Sequence, residues 1–394
     1  MRLLICAGGT GGGVYPALSV WQAIKDWTNP GRLSAVLWVG GEGGMEAELV
    51  QREGIPFETI PASGLHGVGL KTLSALVQNG RGVAASRRIL AQFKPDVLFF
   101  TGGFVAFPMA FAGRHIPTLL YVPDIEPGWA LKATARFADK VALIADDSRQ
   151  YFPTREGRTL RLRKASEVRQ TNFAQGAPGA KDADKFVVTG HPVRQGLTAW
   201  DRETARGVFG FRADLPTLLV FGGSKGARAI NRAVIAVLPQ LLAEMQVLHI
   251  SGALDWDEVR AAQETLPADL APRYRAFPYL HEPMGAAYTV ADLILSRAGA
   301  SSVGEFPLFG LPAILVPYPH AWRYQKVNAD YLTRHGAALM VPNEELPEKI
   351  LPLVLGLMRD PIQRTKMQAA MRSLAHPNAA AKIGNLLFEL GGGV

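Results

Sequence analysis

The chain has 394 residues, 48% hydrophobic and 19% charged, which is enough to bury cores in two or three domains of about 150 residues. Its formal net charge of +8 favours an anionic partner: nucleic acid, acidic lipid headgroups or a phosphorylated substrate. The single cysteine, Cys6, excludes an internal disulfide framework and fits a reducing cytoplasm.

The chain opens "MRLLICAGGTGGGVYPALSV". The apolar run Leu3–Cys6 reads as a strand rather than a signal peptide, because Gly8 interrupts it, and a helix-compatible stretch follows from Pro16. Five glycines stand between Gly8 and Gly13, where glycine costs folding entropy, so bare backbone is required there. One reading is a tight strand-to-helix turn. The other is a cradle of amide N–H groups for an anion or sugar hydroxyls at a helix N-terminus. The spacing fits neither the dinucleotide fingerprint nor a P-loop.

Further strands are expected at Ala35–Val39, Phe57–Ile60, Val97–Thr101, Thr118–Tyr121, Val141–Ile144 and Phe186–Thr189. Later ones are expected at Thr217–Phe221, Gln246–Ile250, Arg275–Phe277, Leu293–Ser296 and Ala313–Val316. Helical patterns separate most of them, and several are continuous apolar runs. That combination predicts α/β domains with doubly wound parallel sheets. Residues 69–94 place Leu70, Leu73, Leu76 and Val77 at helical spacing, with Lys71, Arg81, Arg87, Arg88 and Lys94 around them. Such a helix either buries its leucines in a core or rests them on an anionic membrane. No stretch reaches ~18 uninterrupted apolar residues, so no spanning segment is expected. Residues 154–185 carry eight Lys or Arg against four Asp or Glu and include Gly-Ala-Pro-Gly-Ala. They read as a flexible basic linker or an anion-binding arm.

The plan then repeats. "PTLLVFGGSKGAR" at 216–228 echoes the opening, and two such sheets would leave a cleft with both glycine turns facing it. In 291–328 a strand ends at Ser296, small residues follow (Ala298, Gly299, Ala300, Ser301, Ser302), and a short helix carries Glu305. That turn is a seat for a diphosphate. Glu305, placed in the first turn or so, either accepts hydrogen bonds from a vicinal diol such as a ribose or complements the helix dipole. Beyond the next strand lie His320, Arg323 and Gln325. No D-x-D pair is expected in a suitable loop, since "DWD" at 255–257 reads as a solvent-facing helix, and the histidines lack ligand spacing, so neither metal nor cofactor is expected.

Five segments resemble one family in order and spacing: "GGTGGGVYP", "TGHPVR" at 189–194, "GGSKGAR" at 222–228, "SRAGASSVGE" at 296–305 and "GLPAILVPYPHAWRYQKVNA" at 310–329. "MEAELV" at 45–50 and "SGLHG" at 63–67 fit as well. The family is the MurG type of UDP-N-acetylglucosamine transferases, which complete the lipid-linked peptidoglycan precursor. The resemblance implies GT-B architecture and an inverting, metal-independent transfer from UDP-GlcNAc to an undecaprenyl-diphosphate-linked acceptor, at the cytoplasmic face of the membrane and without nucleic acid.

On this basis residues 1–150 form an acceptor and membrane-docking domain, 151–188 a basic linker, and 189–370 the UDP-sugar domain. Residues 371–394 end in a helix expected to pack back on the first domain. Matching positions imply that Arg194 and Ser224 hold the donor and that Leu280 offers backbone to the uracil. Ala300, Ser301, Ser302, Val303, Gly304 and Glu305 would hold diphosphate and ribose, and Gln325 the sugar hydroxyls. Thr10, Gly11 and Gly12 would lie at the reaction side. Three departures stand out: Gly13 replaces a histidine, Tyr121-Val122-Pro123-Asp124 replaces "HEQN", and Lys225 replaces a glutamine. Asp124 is then the candidate general base, with Glu126 second; a turn-capping role for Asp124 stays open. A transferase with another acceptor and a non-catalytic UDP-sugar binder remain alternatives.

Overall fold

The computed structural model describes residues 1–8, 11–25, 27, 33–44, 46–62, 70–152, 184–223, 226–319 and 322–392. The chain divides into two compact units, Met1–Pro192 with Asn378–Val394, and Val193–Pro377. Thr10, Ser224, Lys225, His320, most of 154–185 and "SGLHG" lie outside the described residues.

In the first unit seven strands form one sheet: β1 (Arg2–Ala7), β2 (Ala35–Gly41), β3 (Phe57–Ile60), β4 (Val97–Gly102), β5 (Thr118–Val122), β6 (Lys140–Leu143) and β7 (Phe186–Val188). Their order is β3-β2-β1-β4-β5-β6-β7, and every pairing is parallel. Alternation along β1 explains the double covering: Leu3, Ile5 and Ala7 enter one core, Leu4 and Cys6 the other. The helix Ala379–Leu390 covers the first of these faces with Ile383, Leu386, Leu387 and Phe388. Gly384 permits its close approach, since a Cβ there would lie 2.4 Å from Ile24. Phe388 stacks on Trp27 at 5.6 Å. Because β7 pairs with β6, the first unit runs on through His191 and Pro192, a few residues past the expected boundary.

The second unit holds six parallel strands: β8 (Thr217–Phe221), β9 (Gln246–Ile250), β10 (Tyr274–Phe277), β11 (Leu293–Ser296), β12 (Ala313–Leu315) and β13 (Ala338–Met340). They run in the order β10-β9-β8-β11-β12-β13. Strand order reverses between β1 and β4 in one sheet and between β8 and β11 in the other. Those switch points are where open α/β sheets take ligands, beyond the carboxyl ends of the strands.

Several local expectations are corrected. The first helix spans Gly11–Ile24, so it begins inside the glycine run rather than at Pro16, which lies within it. The short edge strand β13, "ALM", has no counterpart in the sequence reading. Asp255 of "DWD" is buried rather than solvent-facing, because Arg228 and Asn231 bind its carboxylate. Glu305 stands in the second turn of its helix, Ala300–Phe309, too far along for a helix-start acid.

Candidate active site

At the first switch point the backbone turns on buried polar groups. Glu46 is fully buried, and its Oε1 accepts from the Gly41 N–H at 2.8 Å. A Cβ on Gly8 would come within 2.3 Å of that oxygen, and one on Gly40 within 2.7 Å. Part of the glycine requirement is therefore steric: the carboxylate occupies the space. Thr101, at the end of β4, donates from Oγ1 to the Gly13 carbonyl at 2.6 Å. Next to it Gly103, at φ +85°, passes so close to the Gly8 carbonyl that a Cβ would meet it at 2.4 Å. These contacts fix the start of the Gly11–Ile24 helix, on which Gly12 is exposed. The sequence reading missed Thr101, Gly103 and the role of Glu46. Only the "TGG" following an apolar strand could have signalled it.

Asp124 follows β5 and is half-buried, while Glu126 is 3% exposed and paired to Lys132 at 3.5 Å. Beneath Asp124, the Tyr121 hydroxyl shares a 2.8 Å hydrogen bond with His191 Nδ1. Burial first, and then the Asp124 charge, push the Tyr121 phenol well above its ordinary range. Burial lowers His191 to about 4. Both are neutral at physiological pH, so a buried polar pair lies near the half-buried Asp124 carboxylate.

The second glycine turn is built differently. Gly223 and Gly226 take φ of +88° and +78°, and a Cβ on Gly226 would meet the Ser251 carbonyl at 2.2 Å. Below it runs a continuous relay. Asn231 Nδ2 donates to the Ser251 carbonyl and to Asp255, each at 2.9 Å, so its Oδ1 must accept. His249 Nε2 therefore donates to that oxygen at 3.0 Å, and its Nδ1 accepts from the Tyr274 hydroxyl at 2.8 Å. Arg228 closes the relay on Asp255 at 2.8 Å. Burial holds His249 down to about 3, so it stays neutral.

Beyond β11, Gly299 caps the helix Ala300–Phe309. Ala300 and Ser301 are partly exposed, whereas Ser302, Val303 and Gly304 are buried. Ser302 Oγ is committed to the Gly299 carbonyl at 2.5 Å, so it shapes the turn. Glu305 accepts from the Tyr288 hydroxyl at 2.6 Å. Burial raises its pKa, which the Tyr288 bond and the Arg194 charge counteract. Arg194 also donates to the His281 carbonyl at 3.4 Å, beside the buried Leu280. The second unit thus gathers Arg194, the 279–281 segment, Tyr288 and Glu305 at one switch point. Gln325, on the helix Trp322–Arg334, accepts from the Tyr318 N–H at 2.8 Å, leaving its –NH2 as the end able to donate to a hydroxyl. No cluster of potential metal ligands occurs among the described residues.

Comparison with known proteins follows the same division. Residues 3–143 match the glycosyltransferase family 28 N-terminal domain, and residues 217–383 match the family 28 C-terminal domain. Three UDP-N-acetylglucosamine–N-acetylmuramyl-(pentapeptide) pyrophosphoryl-undecaprenol N-acetylglucosamine transferases resemble it over their full lengths. That of Roseiflexus sp. (strain RS-1) is 39% identical, covering 99% of this chain and 95% of the relative. The protein from Desulforudis audaxviator is 34% identical, covering 100% and 99%. The one from Listeria monocytogenes is 32% identical, covering 99% of each. Among solved structures, Acinetobacter baumannii MurG superposes with a TM-score of 0.72 at 27% identity, covering 98% of this chain and 99% of that one. A UDP-GlcNAc 2-epimerase from Neisseria meningitidis, at 15% identity and a TM-score of 0.64, shares the fold. The chain is a two-domain GT-B protein and belongs to the MurG family of UDP-N-acetylglucosamine transferases, within glycosyltransferase family 28.

Proposed function

We propose that this chain transfers GlcNAc from UDP-GlcNAc to the lipid-diphosphate-linked MurNAc-pentapeptide, converting lipid I to lipid II in peptidoglycan synthesis. Family membership over the whole chain supports the activity. The structural observation that carries the donor assignment is Glu305, held by Tyr288 and facing the Arg194 charge at the β8/β11 switch point.

In this reading Glu305 takes the ribose hydroxyls, and Leu280 offers backbone to the uracil. Ala300 and Ser301 present N–H groups to the diphosphate, with Ser302, Val303 and Gly304 forming the turn beneath. Arg194, Ser224 and Lys225 offset charge growing on the departing UDP without a metal. Gln325 binds the sugar, and Thr10, Gly11 and Gly12 line the reaction side. Asp124 takes the proton of the acceptor hydroxyl as its oxygen bonds to the anomeric carbon. The bond to the UDP oxygen breaks on the opposite face, its electron pair leaving with UDP, which inverts the centre. Accessibility favours Asp124 over Glu126, whose carboxylate is buried and occupied by Lys132. The test is turnover of UDP-GlcNAc with a lipid-diphosphate MurNAc-pentapeptide; UDP-GlcNAc binding without turnover would leave only the donor-binding role.

The first unit docks on the anionic cytoplasmic leaflet. Among the described residues no helix is long and apolar enough to cross a membrane. The side chains of Leu70, Leu73 and Leu76 lie outside the described residues, but Val77 is exposed, as are Arg81, Arg87 and Arg88. Packed beside that helix are Ala106–Ala112 and then Trp129–Thr134, which add Phe107, Phe111 and the 81% exposed Trp129. Arg114 lies over Phe111 and Lys132 over Trp129, so cations ring the aromatics. Co-sedimentation with phosphatidylglycerol vesicles should fall in Arg87→Glu/Arg88→Glu/Trp129→Ser; unchanged binding at high salt would place the contact elsewhere.

A further inference from the structure

Tyr288 lies on the helix Met284–Val290, away from every motif that marks the donor site in the sequence. Its side chain is 2% exposed. The ring is enclosed by Phe309, Phe306 and Phe221 at centroid distances of 5.1, 5.9 and 6.1 Å. Three aromatic neighbours hold the ring in one orientation, and the hydroxyl emerges at Glu305 Oε2. Burial, followed by the Glu305 charge, keeps the phenol protonated far above its ordinary range, so it donates and the carboxylate accepts. The donated bond takes one acceptor position of a carboxylate that has about four. Oε1 and the rest of Oε2 remain for a cis-diol.

We propose that Tyr288 is the positioning residue of the ribose site: its phenol fixes the Glu305 carboxylate so that it meets both ribose hydroxyls of the donor. This rests on Glu305 being the ribose ligand. Without the phenol the carboxylate regains rotational freedom, and its burial is no longer offset by a donor. The other titratable and charged groups facing the pair are Arg194 and Tyr279. Arg194 alone would then oppose protonation of Glu305, and UDP affinity would fall at a higher pH than in the wild type.

The experiment compares wild type, Tyr288→Phe, Glu305→Ala and the double variant by titration with UDP and with 2′-deoxy-UDP. Tyr288→Phe keeps the enclosed ring, and a thermal melt checks folding. We expect it to weaken UDP about tenfold, or ~1.4 kcal/mol. KM for UDP-GlcNAc should rise with kcat at saturation held, and the acid limb of UDP binding should move upward in pH. With 2′-deoxy-UDP the loss should shrink, and in the Glu305→Ala background the added substitution should cost nothing further. UDP binding unchanged in Glu305→Ala overturns the ribose reading itself. With that reading intact, a Tyr288→Phe protein that binds UDP like wild type overturns the proposal. So does one that loses UDP and 2′-deoxy-UDP equally, because Tyr288 would then act by packing.

Discussion

Under the first glycine turn lies the Glu46 carboxylate; under the second runs a relay from Tyr274 through His249, Asn231 and Asp255 to Arg228. The two turns look alike in sequence, yet their glycines answer different demands. Gly8 is bare because a side-chain oxygen fills the space beside it. Gly223 and Gly226 are bare because their φ angles are positive, and Gly226 also because backbone passes close by. A glycine-rich turn after a strand thus marks a switch point, but not by itself the group that approaches it. The two sites differ in chemistry as well. The second lies beside the buried Tyr288–Glu305 pair, and the first beside Thr101, which donates to the Gly13 carbonyl.

The largest expected effect separates chemistry from binding across that comparison. Asp124→Asn should lower kcat by ~10²–10⁴ with UDP affinity unchanged, because the base touches only the acceptor proton. An active Asp124→Asn enzyme would move the role to Glu126 despite its pairing with Lys132.

Backbone demands in the second turn can be separated next. Gly226→Ala adds a Cβ 2.2 Å from the Ser251 carbonyl on top of positive-φ strain, and should cost about 3 kcal/mol of stability. Among the described residues a Cβ in Gly223→Ala meets nothing within 4 Å, so only the conformational penalty of about 1 kcal/mol applies. Equal costs in urea unfolding would show that the Ser251 carbonyl, which Asn231 anchors, is free to shift.

In the first turn the critical partner is Glu46. Removing its carboxylate by Glu46→Ala leaves the Gly41 N–H without that acceptor and should cost ~1.5–3 kcal/mol. Gly8→Ala should be damaging in the wild type and nearly neutral in the Glu46→Ala background. Strict additivity of the two would separate Gly8 from the carboxylate.

The sheets were legible because parallel strands covered on both faces are continuous apolar runs; only β13, three residues at a sheet edge, escaped. The proposed donor site could be read in part because Ala300–Glu305 is one contiguous run at the start of a helix and Gln325 follows the next strand. Tyr288, Thr101 and the His249–Asn231 relay were not, since each acts through a tertiary contact: Thr101 reaches Gly13, and Tyr288 reaches Glu305 from a neighbouring helix. Asp255 misled for the same reason. Leu254, Asp257 and Glu258 around it are exposed, while its partners come from the helix Arg228–Ala236.

The last comparison is between two buried histidines, one in each unit. His191 is lowered to about 4 and His249 to about 3 from an ordinary 6.5, both by burial. The folded chain therefore leaves both neutral while the unfolded chain protonates them below about 6.5. Unfolded chain then binds more protons, and stability falls as pH drops from about 6.5 toward the folded values. Between about pH 7.5 and about pH 5 the loss is about 2 kcal/mol per histidine. In both, a proton on Nδ1 would face a tyrosine hydroxyl that donates to it, Tyr274 for His249 and Tyr121 for His191, and that hydroxyl would have to reverse to accept. Urea unfolding at both pH values, for wild type, His249→Gln and His191→Gln, checks this. Each variant should be less stable at neutral pH yet lose about 2 kcal/mol less on acidification. A variant with the wild-type pH slope would mean that its histidine is not a titrating group in that interval.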